Sequence, residues 1–158
     1  MLHLIPAPLH RALYRVAHNL RRHALRYLVS ELHGCALLVH DEEGRLLLVR
    51  HSNGSRSWVV PGGGMKRGED PVLAAQRELR EELACQFAQP WLVAVQNDVY
   101  HGVAHRVHIV TGVISGQAQP DRREVMEARF FHREEFPDDT SVVVPRRLAA
   151  LEGNLQQR

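Results

Sequence analysis

The chain has little cysteine, no long apolar run and, over its first thirty residues, no acid. Each absence narrows the field. Among 158 residues only Cys35, inside an apolar run, and Cys85, at a predicted helix end, are cysteines. Two such residues make no disulfide framework and read as small buried side chains in a reducing cytosol. No apolar stretch is long enough to span a bilayer. The apolar N-terminal residues are broken by Pro6, Pro8 and histidines, which argues against a secretory signal. The expected compartment is therefore the cytoplasm. Internal repeats, low-complexity tracts and an interdomain linker are missing as well. What remains is 44% hydrophobic and 24% charged, the composition of one globular domain large enough for a real core.

The missing acid at the start is hidden by a formal charge of +2. Residues 1–30 hold Arg11, Arg15, Arg21, Arg22 and Arg26 with nothing to balance them, whereas acids outnumber bases in the rest of the chain. Leu9, Leu13, Val16, Leu20, Tyr27 and Leu28 recur at helical spacing, so residues 1–30 are expected to be a basic amphipathic helical extension. Such an extension packs on the domain, forms a homodimer contact, or lies on a membrane surface. An organellar presequence fits less well, because Ser30 is the segment's one serine.

Residues 31–158 alternate between strand and helix signals. Gly34–His40 is a short apolar run, Asp41–Gly44 a turn, and Arg45–Arg50 a partner strand. Trp91–Gln96 and Arg106–Ile114 read as two more strands joined around His101 and Gly102. Gly116–Arg123 is a polar loop, Val125–His132 a further strand, and Pro145–Gln156 a closing helix. The pattern is that of an α+β domain with a mixed β-sheet.

The most informative stretch lies between these strands, at Gly63–Cys85. Asp70 is a good N-cap and Pro71 a natural first helical residue, so a helix is expected from Pro71 to about Leu83. Val72, Gln76, Leu79 and Leu83 fall on the side to be buried. Glu78, Glu81 and Glu82 share an arc of roughly 100° on another side, where like charges repel. A solvated acidic face balanced by Arg77 and Arg80 is one reading. A hard-cation site is the other, because clustered carboxylates without thiolates suit Mg²⁺ or Mn²⁺. The glycines at 62, 63, 64 and 68 favour the second, since they let backbone carbonyls approach a ligand. The glycine run is neither a phosphate-binding P-loop nor a dinucleotide fingerprint: no Gly-Lys-Ser/Thr follows, and the spacing fails.

These residues resemble the Nudix box. Gly63, Glu69 and Arg77-Glu78-Leu79-Arg80-Glu81-Glu82-Leu83 match its charged and glycine positions, with Ala84 where the family has glycine and Cys85 as a small apolar last residue. Alanine at that helix end is expected to cost about 1 kcal/mol or to let the helix end differently. The resemblance covers roughly Leu32 to Phe136. It implies a Nudix-like α/β/α sandwich and a divalent-metal-dependent hydrolase that cleaves the pyrophosphate linkage of a nucleoside diphosphate joined to another moiety. It implies Mg²⁺ or Mn²⁺ held by Glu78, Glu81 and Glu82 with the Gly62 carbonyl, and a scaffold role for Gly63, Glu69 and Arg77. The general base is a box glutamate, Glu78 or Glu82, or one from a later loop, Glu124 or Glu127. Arg50, at a strand end, could reach substrate phosphate.

Other classes fare worse. His101, His105 and His108 straddle a predicted turn and lack the spacing of a structural zinc set. A nucleotide-binding regulatory module is expected to have lost metal glutamates, and none is missing. A membrane- or RNA-associated module rests on the basic N-terminus alone, and no specific nucleic-acid partner is predicted.

Overall fold

A computed structural model of the chain describes residues 31–157 apart from Gly54, His101 and Ser115, so the expected helix of residues 1–30 lies outside the described residues. In chain order the elements are β1 (Glu31–His40), β2 (Leu46–His51), β3 (Gly62–Gly64), α1 (Pro71–Leu83), β4 (Ala88–Tyr100), β5 (Val103–Val113), β6 (Val125–Phe131), a 3₁₀ turn (Arg133–Glu135) and α2 (Val143–Leu155).

β1 is the centre of a mixed sheet ordered β4-β5-β1-β2-β6. β5 runs parallel to it along all of Glu31–His40. The other edge of β1 is divided: β2 pairs at His40, and β3 pairs at Gly34, Cys35 and Ala36. The sheet is buried on both sides, which is why β1 reads as a continuous apolar run rather than an alternating one. Cys35, Leu37 and Val39 pack with Leu79 and Leu83 of α1, while Ala36 and Leu38 pack with Val144 and Leu148 of α2. The result is the three-layer α/β/α sandwich that the resemblance implied.

Three boundaries differ from expectation for physical reasons. The glycine run carries no strand signal in sequence, yet Gly62–Gly64 forms a strand against β1. The approach is so close that a Cβ on Gly62 would lie 2.2 Å from the Cys35 carbonyl oxygen. β4 is longer than Trp91–Gln96, because an edge strand tolerates Pro90 and a run of polar residues on its unpaired side. α2 begins at Val143, with Pro145 inside its first turn, where a missing N–H leaves no bond unmade.

Candidate active site

The site is built on the entry to α1. Asp70 caps the helix by accepting from the Val72 and Leu73 N–H groups at 2.9 and 3.1 Å, and Pro71 follows as the first helical residue. Arg77 then ties helix to loop. Its Nε and Nη2 donate to the two oxygens of Glu69 at 2.9 and 3.0 Å, and Nη2 also donates to the Gly64 carbonyl at 3.0 Å. Glu69 accepts in addition from the Lys66 N–H at 2.8 Å. A two-pronged guanidinium–carboxylate pair fixes geometry as well as charge. Arg77, followed by the Lys66 N–H, holds the Glu69 carboxyl down to about 2.

The three glutamates of the helix occupy three different environments. Glu81 is 57% exposed and stands 3.6 Å from Arg77 Nη1. Glu78 is mostly buried and accepts from Arg77 Nη1 at 2.6 Å. Glu82 is buried outright, and its Oε2 has no hydrogen-bond partner. Burial first, and then the charges of Glu78, Glu124, Asp121 and Glu81, push the Glu82 carboxyl up to about 9. Glu78 is also raised, by burial, against the opposing pull of Arg77. The expectation of a shared face apart from the buried one is therefore corrected for Glu82, which sits beside Leu79 and Leu83 in the buried part of the helix.

Glu124 reaches this cluster because the polar loop docks on the end of α1. The Gln119 and Asp121 N–H groups donate to the Leu83 and Glu82 carbonyls at 2.8 and 2.9 Å, using acceptors that a helix end leaves unpaired. The Asp121 carboxylate accepts from the N–H groups of Arg123, Glu124 and Val125, at 2.9, 3.0 and 3.0 Å, and curls the chain so that Glu124 faces the helix. The residue after β2 holds the other side of the turn: the Ser52 N–H donates to the Glu124 carbonyl at 2.9 Å. Sequence reasoning missed Asp121 as a positioning residue. An aspartate ahead of a turn that bonds its own backbone was the available signal.

Glu127 and Arg50 do not join the cluster. Arg50 pairs in the sheet with Glu127, but His51 pairs with Val125, so Met126 is an extra residue in a β-bulge. The bulge sends Val125 to the α1 side and Glu127 to the α2 side. There Arg50 donates to Glu127 at 3.4 Å and to Asp139 at 2.5 Å, with its guanidinium 4.6 Å above the Trp58 ring. One inserted residue thus sets both side chains on the α2 side, apart from Glu78 and Glu82. The histidines are divided too. His105 faces the α2 side over Gly34, His108 faces the other side and stacks on His33 at 5.9 Å, and His101 lies outside the described residues.

Among the described residues, no three His, Cys, Asp or Glu side chains are gathered into a finished metal set. Arg77 occupies Glu78 instead. The donors nevertheless fit a hard divalent cation: they are carboxylates, and the buried Glu82 Oε2 is an acceptor with nothing to accept from. Gly63 leaves room for this arrangement, since a Cβ there would lie 2.4 Å from the Glu78 carboxyl carbon. Gly63→Ala is therefore expected to displace Glu78 and lower turnover at least tenfold, with a smaller loss of stability, because the atoms it meets belong to a side chain. Parallel kinetics and thermal melts check this. Unchanged kcat would show that the Glu78 position is not critical.

The NUDIX domain family model matches residues 33–151. The ADP-ribose pyrophosphatase of Mycobacterium tuberculosis is 37% identical over 95 residues, which cover 56% of this chain and 45% of that protein. An RNA pyrophosphohydrolase of Saccharophagus degradans is 43% identical over 47 residues, covering 30% of this chain and 28% of that protein. The human diphosphoinositol polyphosphate phosphohydrolase 2 is 44% identical over 48 residues, or 30% of this chain and 27% of that protein. The chain spans less than half the length of these curated relatives. Among solved structures, a MutT NUDIX hydrolase from Burkholderia pseudomallei superposes with a TM-score of 0.69 at 20% identity, over 77% of this chain and 98% of that one. A NUDIX hydrolase from Nitrosomonas europaea gives 0.64 at 18% identity, over 78% and 89%. At these identities the structures show a shared fold.

Proposed function

The chain belongs to the Nudix family, and from that premise we propose that it is a divalent-metal-dependent hydrolase of the pyrophosphate linkage in a nucleoside diphosphate joined to a second moiety. The observation that carries the proposal is the buried, partnerless Glu82 Oε2 among the charges of Glu78, Glu81, Glu124 and Asp121. A structural acidic face would keep such an oxygen in water or pair it.

In this reading Glu82, Glu78 and Glu81 hold Mg²⁺ or Mn²⁺, helped by the Gly62 carbonyl. When bound, the cation screens the substrate's phosphates from the glutamates, polarises phosphorus and makes an attacking water more acidic. Glu124, aimed by the Asp121 turn, accepts the proton that this water loses as its oxygen bonds to phosphorus. The bridging P–O bond breaks, and the electron pair leaves with the second phosphate. Arg77 and Glu69 keep the glycine strand and the helix in register throughout. Residues 1–30 supply none of these groups.

The relatives' names specify different molecules, from ADP-ribose to RNA, so the test is a panel. Nucleoside diphosphate derivatives incubated with Mg²⁺ are expected to yield two phosphorylated products each, and excess chelator is expected to stop the reaction until Mg²⁺ or Mn²⁺ is restored. Full turnover in chelator, with residual metal measured, would rule out the metal role. No turnover of any panel member would rule out hydrolysis of this class.

A further inference from the structure

A cleft of about 460 Å³ opens beside the glycine strand, and His51 and Glu124 are part of its lining. The same lining includes Tyr100, His105 and Arg147, which the hydrolytic chemistry above does not use.

Arg147 comes from α2 and is only 8% exposed. Its Nη2 donates to Asp98 Oδ2 at 3.0 Å, while its Nη1 is buried with no hydrogen-bond partner. The other oxygen of Asp98 accepts from Arg146. One carboxylate therefore answers two guanidiniums, and a guanidinium does not shed its charge. A buried cation left half matched is costly until a further anion completes it. His105 stands beside it, over Gly34, where a Cβ would lie 2.7 Å from His105 Nε2. The ring of His105 packs tilted against Tyr100 at 5.8 Å. Burial first, and then the charge of Arg147, keep His105 below its ordinary value, so it offers one ring N–H as a donor.

We propose that Arg147 and His105 form an oxyanion subsite that takes a phosphate carried by the substrate beyond its scissile pyrophosphate. The proposal rests on the hydrolase reading and deepens it. Two observations favour a phosphate over an uncharged group. The unsatisfied atom belongs to a permanent cation, and the carboxylate beside it is already shared. The link to the catalytic end is Glu124, which lines the same cleft as His105 and Arg147. The cleft then has one end that repels unscreened phosphate and one that attracts it, so an elongated substrate enters in a single orientation.

The first test uses inorganic phosphate alone, titrated into the full chain in chelator, where the acidic cluster cannot hold it. Saturable binding is expected, with movement of the His105 imidazole signals in NMR spectra. Arg147→Met should weaken binding at least tenfold, Arg147→Lys less. Asp98→Asn, which releases the guanidinium from its shared carboxylate, should tighten it severalfold. Absence of saturable binding, or binding indifferent to Arg147→Met, would overturn the subsite. If Arg147→Met does not fold, Asp98→Asn decides, and unchanged affinity there counts against the proposal. A second arm compares adenosine 5′-monophosphate with adenosine 2′,5′- and 3′,5′-bisphosphates in Mg²⁺. At least tenfold tighter binding of one bisphosphate, lost on Arg147→Met, is expected; equal binding of all three overturns the link to substrate. Phosphate binding without hydrolysis of any nucleoside diphosphate derivative would refute the hydrolase reading alone.

Discussion

Glu82→Gln is expected to lower kcat by about a hundredfold or more while the protein stays folded. The substitution keeps the shape of a side chain that is buried at 6% exposure and removes its capacity for charge. It should also change how stability responds to pH in the metal-free protein. With its carboxyl raised from 4.5 to about 9, Glu82 favours the fold fully below pH 4.5. That contribution declines as pH rises through 9, because the folded state resists ionisation that the unfolded chain accepts. Thermal melts in chelator at pH 6 and pH 9 should show wild type losing more stability than Glu82→Gln. Equal losses in the two proteins, together with near-normal turnover of the variant in Mg²⁺, would mean that Glu82 is merely part of the helix.

Leu79→Ala tests the apolar packing beside Glu82 on the same helix. Leu79 has no exposed surface and packs in the cluster with Leu37, Val110 and Leu83. Truncation leaves a cavity where α1 meets the sheet, and the expected loss is about 2–5 kcal/mol. At about 2–4 °C per kcal/mol for a chain of this size, the melting temperature should fall by roughly 4–20 °C. Turnover per folded molecule at low temperature should fall far less than in Glu82→Gln. A Tm within a degree or two of wild type would show that the helix is held elsewhere, with the Arg77–Glu69 pair the first place to look.

The two substitutions also mark what could be read from the residues and what could not. Helix start, cap and spacing are local, so Asp70, Pro71, Arg77 and the carboxylates could be identified from neighbouring positions. The burial of Glu82 is not local: it depends on the loop of Gln119 and Asp121 closing over the end of α1. Glu124 and Glu127 look equivalent in sequence, three residues apart beside the same loop. A regular strand would put Val125 and Glu127 on one face; the bulged residue Met126 separates them and sends Glu127 to the side away from α1, and bulges leave little trace in composition. Arg147 carried no signal at all, because its partner Asp98 arrives from a strand some fifty residues earlier. Ala84 shows the reverse. It adopts the left-handed backbone, at φ 53°, that glycine would take without strain, and the Ala84 N–H still donates to the Arg80 carbonyl at 3.2 Å. The helix ends where it was expected to, in a conformation that alanine tolerates poorly.

The pairing of β1 with β5 has a consequence for how the chain assembles. β1 is bonded along its whole length to a strand roughly seventy residues further on, in parallel, and a parallel partner cannot be delivered by a tight turn. Until β5 exists and has folded back, one edge of the buried central strand stays open. The hairpin of β1 with β2 and the helix that follows can form early from local contacts, but the centre of the sheet closes late. Folding should therefore be slow for the size of the domain, with its rate set by the search of β5 for that edge. The interval before closure is when the chain is most exposed to pairing with another copy of itself.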